Sequence, residues 1–431
     1  MQNTLPLFGV LLGLGALSGC SDGPCSEVDG PVLFAWDNSV DHRLEGTNPL
    51  AYDTIGEALE AASPGTTVCI SSGIWQEEIS ITKPDVHLRG AGSERTIIEP
   101  RYPFSDPRDS RATVIKVDAE GVSIEGVQLR GAETGLRLKP GSTTQLRDVD
   151  LRTNTVGLHA TSIGSLIAEE LSLVRNTEIG GLIQGESGEH SPLLLTDLRV
   201  EGNGQRGVSS VGGIRSSHPL VLTRAHFQDN TGTDAGDLYT RDLDAIDLHV
   251  GQPFSTGSSP RIVLRGETLI QEAVIHLLGG GIQVDCQGER ISMVNTAVSD
   301  GDTSFSSEPL LSLEDCQGDL QHLTLAKLVG DQRGTGLKLR GESELTVENS
   351  ALVHFDEAIA WDLQEPLLYN NFEGSLQEAA LLSPLGAQPN LRPQRDSPLI
   401  DGAQDLGLQR DVEGWNRPLG GAPDIGAYER R

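Results

Sequence analysis

The stretch Val122-Ser123-Ile124-Glu125-Gly126-Val127-Gln128-Leu129 alternates apolar and polar residues, and similar stretches follow it at regular intervals. Such alternation is typical of strands that bury one face. The later stretches occupy residues 146–151, 166–173, 193–200 and 220–227. The final residues of the five stretches are separated by steps of 22, 22, 27 and 27 residues: Leu129, Leu151, Leu173, Val200 and Phe227. This part of the chain is therefore a structural repeat.

An asparagine stands three residues beyond each of the last four stretches: Asn154, Asn176, Asn203 and Asn230. Asparagine tolerates the left-handed conformation of tight turns, and its amide both donates and accepts along a stack. Short strands, a turn asparagine and this period predict an all-β fold, a parallel β-solenoid with an asparagine ladder. The pattern extends from about residue 80 to 375, which corresponds to roughly a dozen coils. Residues 234–260 are interpreted as a longer excursion before the pattern resumes at Arg261.

The two ends of the chain resemble a known family. Tyr52 to Thr66 reads as a short amphipathic helix stopped by Pro64-Gly65, and Ser72 to Ile79 and Val86 to Gly92 follow it. This region resembles the N-terminal cap and first coil of the pectin lyase-like superfamily. Residues 397–402 and 424–429 resemble the closing segment of secreted bacterial β-helix repeat proteins. The resemblance implies a right-handed parallel β-helix with a short N-terminal capping helix, and it implies no particular activity.

We divide the chain into a signal peptide (1–19), an entry segment (20–50), the β-helix (51–375) and a closing segment (376–431). The apolar run Leu5 to Leu17 ends in Leu17-Ser18-Gly19-Cys20, which resembles a bacterial lipobox. That resemblance implies cleavage before Cys20 and lipid attachment there, so that the lipid is the only contact with a membrane. Ser21 favours the outer membrane over the inner membrane of the cell envelope. No Lys or Arg precedes the run, which departs from the usual positive start of a signal and points to a misassigned start codon or a weak signal. The alternative is an ordinary signal peptide with a chance cysteine.

The remaining cysteines are even in number, as expected for disulfides in an exported protein. Cys286 and Cys316 lie in near-copies of one sequence, 30 residues apart, which fits neighbouring coils about 4.8 Å apart. Cys25 lies near the mature start and Cys69 in the first predicted strand. Of the three possible pairings, we expect Cys25–Cys69 with Cys286–Cys316.

The net charge restricts the partners. The chain has 32 basic and 62 acidic residues, hence 32 − 62 = −30. This balance excludes nucleic acid as a partner and disfavours anionic polysaccharides unless a cation bridges the two.

The sequence contains no recognised catalytic set. Enzymes of the resembled family are mainly polysaccharide lyases, glycoside hydrolases, esterases and epimerases. The polygalacturonase-type Asn-Thr-Asp, paired-Asp and Gly-His-Gly signatures are missing, and so is the pectin methylesterase pattern. Weak catalytic candidates remain. Arg206, Arg215 and Arg224 lie in consecutive predicted coils, where they would line a groove for a sugar acid or pair with neighbouring carboxylates. Asp237 is the acidic candidate.

Calcium is the one cofactor that the pattern suggests. The predicted excursion carries five aspartates, which we interpret as candidate Ca²⁺ ligands. The alternative interpretation of this stretch is a solvated acidic loop. The five residues are Asp234, Asp237, Asp242, Asp244 and Asp247. Exposed tryptophans would stack on sugars, with core or cap packing as the alternative: Trp75, Trp361 and Trp415.

These observations favour a lipid-anchored, monomeric β-helix with an extended interaction surface for a polysaccharide or envelope glycan. A polysaccharide lyase or glycoside hydrolase is the first alternative, and a structural surface rod is the second.

Overall fold

The computed structural model of the protein describes Cys25, Val28 and residues 30–36, 51–101, 112–185, 191–205, 210–251, 261–301, 308–330, 333–385 and 389–431. These residues form a parallel β-solenoid of about 12 turns with very few helices. The signal peptide, Cys20 and Arg206 lie outside the described residues. No helix in the described ranges has the length and apolar character needed to span a bilayer.

The first coils consist of short strands and one helix. They are β1 (Val32–Ala35), β2 (Ala51–Tyr52), α1 (Ile55–Ala61), β3 (Thr67–Ile70), β4 (Gly73–Gln76), β5 (Ile79–Ile81), β6 (His87–Arg89), β7 (Thr96–Glu99) and β8 (Thr113–Val117).

In the middle coils, long strands and short strands mostly alternate. They are β9 (Val122–Arg130), β10 (Thr134–Leu138), β11 (Thr143–Arg152), β12 (Val156–Thr161), β13 (Ser165–Val174), β14 (Ile179–Gln184), β15 (Leu193–Glu201), β16 (Ile214–Ser216), β17 (Leu220–Gln228), β18 (Leu238–Gly251), β19 (Ile262–Leu277), β20 (Ile282–Asp285), β21 (Arg290–Asp300), β22 (Leu311–Glu314), β23 (Gln317–Lys327) and β24 (Thr335–Arg340).

The last coil and the closing segment again have short elements. They are β25 (Glu344–Glu348), β26 (Ala351–Val353), β27 (Glu357–Trp361), β28 (Leu367–Tyr369), β29 (Phe372–Gly374), α2 (Leu376–Ala379), β30 (Leu381–Ser383) and β31 (Asn390–Pro393).

Stacking of the coils produces three parallel sheets. Sheet A contains the first half of each long strand and sheet B the second half, as in the pairing of β11 with β13. Sheet C contains the short strands, such as β10, β12 and β14. Strands β18 and β19 each run through all three sheets without a break. Each coil therefore follows the order C, A, B.

A single residue in the left-handed region bends each long strand from sheet A into sheet B. Asp148, Glu170, Asp197 and Arg224 occupy this position with φ between 49° and 56°. The strand register skips them, so that Arg147 pairs with Glu169 and Val149 with Leu171. Aspartate and asparagine tolerate this conformation better than most residues, which accounts for their frequency at the bend.

The four predicted asparagines form a buried ladder in the turns from sheet B to sheet C. Each Nδ2 donates to a sheet B carbonyl oxygen of the preceding coil, for example Asn176 to Leu151 at 3.0 Å. Asn176 Nδ2 also donates to Asn203 Oδ1 at 2.9 Å. The ladder comprises Asn154, Asn176, Asn203 and Asn230, all 0% exposed. The ladder therefore satisfies the buried polar groups of the turns.

The core lies inside the solenoid and is covered at its N-terminal end by α1. Thr54 caps this helix by accepting from the backbone of Glu57 at 3.1 Å. Ile55 and Ala58 of the helix are fully buried against the first coil. The helix, Ile55–Ala61, is shorter than the predicted segment from Tyr52 to Thr66. Its position is the one that the resemblance implied.

The closing segment packs on the outer face of sheet B in the last coils. The small side chains Ala297, Ala326 and Ala351 meet Val412 and Tyr428 in a second apolar cluster. Thr324 Oγ1 accepts from the backbone nitrogen of Ala427 at 2.9 Å. The segment therefore covers the late part of this face and leaves the earlier coils open.

Both expected cysteine pairs are joined. The Cα atoms of Cys25 and Cys69 are 6.2 Å apart, and those of Cys286 and Cys316 are 4.9 Å apart. The second pair links neighbouring coils, as its 30-residue spacing predicted.

The prediction of an excursion at residues 234–260 is wrong for residues 238–251. Residues 238–251 form the continuous strand β18, whose apolar residues alternate into the core. Asp244 and Arg241 occupy outward positions of this strand and are exposed. The charged residues of this stretch occupy the outward positions of a strand, and they alternate with apolar residues that face the core. Residues 252–260 lie outside the described residues.

Candidate functional site

The outward face of sheet C carries an unbroken column of residues in register, one from each coil. None is acidic: Lys116, Arg137, His159, Leu182, Arg215, Tyr239, Val263, Gln283, Ser312, Lys338 and Ala360. We call these residues the sheet C column. In a chain with 62 acidic residues, four members of this column are cationic: Lys116, Arg137, Arg215 and Lys338. Lys116 lies 3.9 Å from Asp118, and Lys338 lies 2.5 Å from Asp362. The charge of the column itself is thus opposite in sign to the net charge of the chain.

The column centres on an aromatic ring between two guanidinium groups. The Cζ atom of Arg215 lies 5.1 Å from the centroid of the Tyr239 ring, and that of Arg265 lies 5.5 Å from it. Both distances are typical of cation–π contacts. Arg215 Nη1 also donates to Ser210 Oγ at 2.9 Å. The two arginines thus lie in the coils on either side of the coil that carries Tyr239.

The turns from sheet B to sheet C form an apolar wall beside this cluster. Val211 and Ala235, both fully buried, pack with Leu182, Tyr239 and Val263. A bridge between Val211 and Ala235 joins the two turns. The wall immobilises one side of the tyrosine and leaves the ring partly exposed.

A histidine lies further along the same column. Burial lowers the pKa of His159, and the neighbouring Arg137 lowers it further. At neutral pH the ring is therefore uncharged, and it contributes hydrogen bonding rather than charge.

The arginine candidates do not share a groove. Arg215 lies on sheet C, whereas Arg224 lies at the bend between sheets A and B and holds both oxygens of Asp197 at 2.5 and 2.7 Å. The alternative reading, pairing with a neighbouring carboxylate, therefore applies to Arg224. Arg206 is outside the described residues.

Asp237 is sealed inside the molecule. Its Oδ2 accepts from Nε and Nη2 of Arg261 at 3.0 and 2.7 Å, and its Oδ1 accepts from Asn230 Nδ2 at 2.9 Å. Burial raises the pKa of this carboxyl, and the Arg261 charge opposes that shift. Asp237 terminates the asparagine ladder through its hydrogen bond with Asn230. Because Asp237 is 0% exposed, it has no surface from which to act on a substrate.

The calcium candidates are dispersed. Asp242 Oδ1 accepts from the backbone of Glu267, and Asp247 Oδ1 lies 2.9 Å from His249 Nε2. Asp244 is on the outer face of sheet A, and Asp234 is exposed in a turn. Among the described residues, no three His, Cys, Asp or Glu side chains are grouped to hold a metal. The structure therefore does not bring these five aspartates together: Asp234 and Asp237 precede β18, and the other three lie along it on different sheets and bends.

A cleft of about 220 Å³ lies between the closing segment and the bends of two coils. Its lining includes Glu272, Asn295 and Arg410. Burial raises the pKa of Glu272, and the nearby Asp247 raises it further. Asn295 Nδ2 donates to the carbonyl oxygen of Arg410 at 2.7 Å, which fixes the closing segment at this point.

The predicted tryptophans have three different environments. Trp75 is buried in the first coils, which agrees with core packing. Trp415 is covered on one ring face by Arg431, whose Cζ lies 3.8 Å from the ring. Trp361 is exposed in the last coil.

Sequence reasoning identified Arg215 but missed Tyr239 and Arg265. Arg215 and Tyr239 are 24 residues apart, as are Tyr239 and Val263, so a regular step places these three residues in register. Arg265 lies two residues beyond Val263 and pairs with Arg241, so its contact with Tyr239 is diagonal and no alignment of equivalent positions predicts it.

The topology defines the molecule as a parallel β-helix protein. The sequence matches no protein-family model and no curated protein. Solved structures with some similarity include pectate lyase Pel9A, with 13% identity over 95% of this chain and 99% of that chain, at a TM-score of 0.48. Pectin methylesterase PemA from Erwinia chrysanthemi has 13% identity over 71% and 82%, at a TM-score of 0.30. Geobacillus virus E2 ORF18 has 12% identity over 80% and 60%, at a TM-score of 0.35. None of these similarities is close enough to transfer an activity.

Proposed function

We propose that the protein binds an anionic polysaccharide along the outward face of sheet C, without cleaving it. The observation that carries this proposal is Tyr239 between Arg215, a member of the sheet C column, and Arg265, which lies on the same face two residues beyond Val263. The register row of Arg265 continues with Asp285 and Glu314, so the positive charge is concentrated at this cluster. Arginine forks recognise carboxylates, and a partly exposed tyrosine presents a flat surface to a sugar ring. The repeat of one coil about every 4.8 Å offers contacts along an extended polymer.

The test measures binding of an oligogalacturonate of defined length by calorimetry, with maltohexaose as the uncharged comparison. We expect saturable binding of the uronate alone, weakened by added salt because exposed charges are screened. The double variant R215A/R265A is expected to lose about tenfold or more in affinity. Binding of maltohexaose with equal affinity would contradict the proposal.

A matched control removes the same charge from another face. Arg147 and Arg290 lie on sheet A, with side chains 62% and 60% exposed. The variant R147A/R290A changes the net charge as much as R215A/R265A does. It should bind the oligogalacturonate as the unmodified protein does. Equal losses in both double variants would assign the binding to net charge and not to the sheet C column.

The enzyme alternative is tested on the same mixtures by size-exclusion chromatography of the polymer. We expect unchanged polymer length with and without Ca²⁺. Shortened chains would instead make the protein a polysaccharide lyase or glycoside hydrolase.

We also propose that the protein is exported and anchored in the bacterial cell envelope through a lipid on Cys20. The proposal rests on the sequence Leu17-Ser18-Gly19-Cys20 after the apolar run. A fatty-acid probe should label the protein in cells, and the substitution Cys20→Ser should abolish labelling. Persistent labelling of that variant would exclude Cys20 as the attachment site.

A further inference from the structure

Among the described residues, the core of the β-helix is partly exposed at its C-terminal end. Leu368 continues the inward column of Val347, and Trp361 continues that of Leu339. Val347 and Leu339 are 1% and 2% exposed, but Leu368 and Trp361 are 41% and 42% exposed. The exposure arises because no further coil lies beyond them in the described chain.

The two ends of the solenoid therefore differ. Helix α1 buries Ile55 and Ala58 over the first coil, whereas α2 joins the apolar cluster of the closing segment. Strands β27, β28 and β29 each have a partner strand on one side only among the described strands. Their unpaired backbone groups and the adjacent apolar side chains form one surface, which we call the terminal surface: Trp361, Leu363, Leu367, Leu368 and Tyr369. Natural proteins usually protect such edges.

Charge identifies the kind of partner that fits this surface. Residues 357–385 contain five acidic residues and no Lys or Arg: Glu357, Asp362, Glu365, Glu373 and Glu378. Two copies meeting end to end would bring these like charges together, which disfavours association. A head-to-tail contact with α1 is disfavoured as well, because that helix carries Glu57 and Glu60.

We propose that the terminal surface binds an extended segment of another protein in which apolar and basic residues alternate. The segment adds a strand to the open edge, so that its backbone pairs with β28 or its neighbours. Its apolar residues cover Leu368 and Trp361, and its basic residues meet the exposed Glu365 and Glu373. Asp362 already pairs with Lys338, and Glu378 accepts from Ser375. The cluster of Arg215, Tyr239 and Arg265 lies several coils away from this surface, although the sheet C column reaches it at Lys338 and Ala360.

Three synthetic peptides of eight residues test the proposal by fluorescence anisotropy with the full chain. One alternates Lys and Val, one alternates Glu and Val, and one has the Lys–Val sequence with two central prolines. We expect saturable binding of the first peptide alone, because the second is repelled and proline removes donors needed for pairing. Equal binding of the proline peptide would overturn strand addition.

Charge reversal locates the site without disturbing the core. Glu365 and Glu373 are exposed, and the variant E365K/E373K should lower the affinity for the Lys–Val peptide by about tenfold or more. The control variant E169K/D244K makes the same change on sheet A, where both residues are exposed, and should bind unchanged. Similar losses in both variants would overturn the assignment.

Sedimentation distinguishes a second copy as the occupant. The protein is expected to remain monomeric at the concentrations used for peptide binding. A dimer that is lost in Leu367→Lys would assign the terminal surface to self-association and overturn the proposal of a basic partner.

Discussion

The side-chain nitrogen of Asn203 lies 2.8 Å from the side-chain oxygen of Asn230 in the next coil, and both residues are fully buried. The same nitrogen donates to the carbonyl oxygen of Leu173 at 2.8 Å. Asn203 Oδ1 in turn accepts from the backbone and side chain of Asn176. Asn203 therefore connects three successive coils.

The substitution Asn203→Ala is expected to lower the free energy of unfolding by about 1–3 kcal/mol, because it leaves buried backbone groups without partners. Urea unfolding followed by circular dichroism measures the change. Asn416→Ala, at an exposed position of the closing segment, is the control and should have little effect. An equally small effect at Asn203 would contradict the role of the ladder.

The asparagine ladder was predictable because its four asparagines recur in the sequence at the same place in each repeat. The regular steps of 22 and 27 residues place four asparagines in equivalent turns. The buried pair of Asp237 and Arg261 was not predictable, since the two residues are 24 positions apart and belong to no repeated pattern. Tyr239 and Arg265 were missed because they meet diagonally: Tyr239 pairs with Val263, and the Arg265 side chain reaches the ring from two residues further along the strand.

The buried ion pair leads to a prediction about stability. Arg261→Met leaves the Asp237 carboxyl buried without its cation, which is expected to cost about 3–5 kcal/mol. The double variant D237N/R261M removes both charges and should recover much of that loss. A double-mutant cycle in urea measures the coupling. Equal stabilities of R261M and the double variant would show that Asp237 does not depend on the Arg261 charge.

The Cys286–Cys316 disulfide is 0% exposed at both residues, and its position leads to a chemical prediction. Peptide mapping without reduction should recover the two cysteines joined. Breaking the link with the variant C286S/C316S is expected to cost about 3–4 kcal/mol, because it releases a loop of about 30 residues in the unfolded chain. Free thiols at these positions would contradict the placement of the two coils.

His322 couples the closing segment to the solenoid. Its Nε2 accepts from Asn349 Nδ2 at 3.1 Å, and its Nδ1 lies 3.3 Å from the carbonyl oxygen of Gly426. Burial and, to a smaller extent, the charge of Arg417 lower the pKa of His322 to about 3. The folded protein therefore holds a neutral imidazole where the unfolded chain has a histidine that titrates near 6.5.

This difference predicts a loss of stability in acid. As the pH falls from about 6.5 towards 3, the unfolded chain takes up a proton that the folded chain does not. The contribution of His322 to the unfolding free energy should then fall by up to about 1.4 kcal/mol per pH unit. Burial raises the pKa of Asp424 and Glu429, which stabilises the folded state as the pH falls towards their range. Comparing the pH dependence of stability between the unmodified protein and a variant without His322 separates the effect of this histidine from that of the two carboxyl groups.

The variant His322→Gln keeps a donor and an acceptor but cannot be protonated in this range. Urea unfolding at pH 7, 6, 5 and 4 should show a smaller loss of stability for this variant than for the unmodified protein. His226→Gln is the control, because His226 is exposed on sheet B and should leave the pH dependence unchanged. If His322→Gln and the unmodified protein lose the same amount of stability between pH 6.5 and 4, the titration of His322 does not cause the loss of stability in acid.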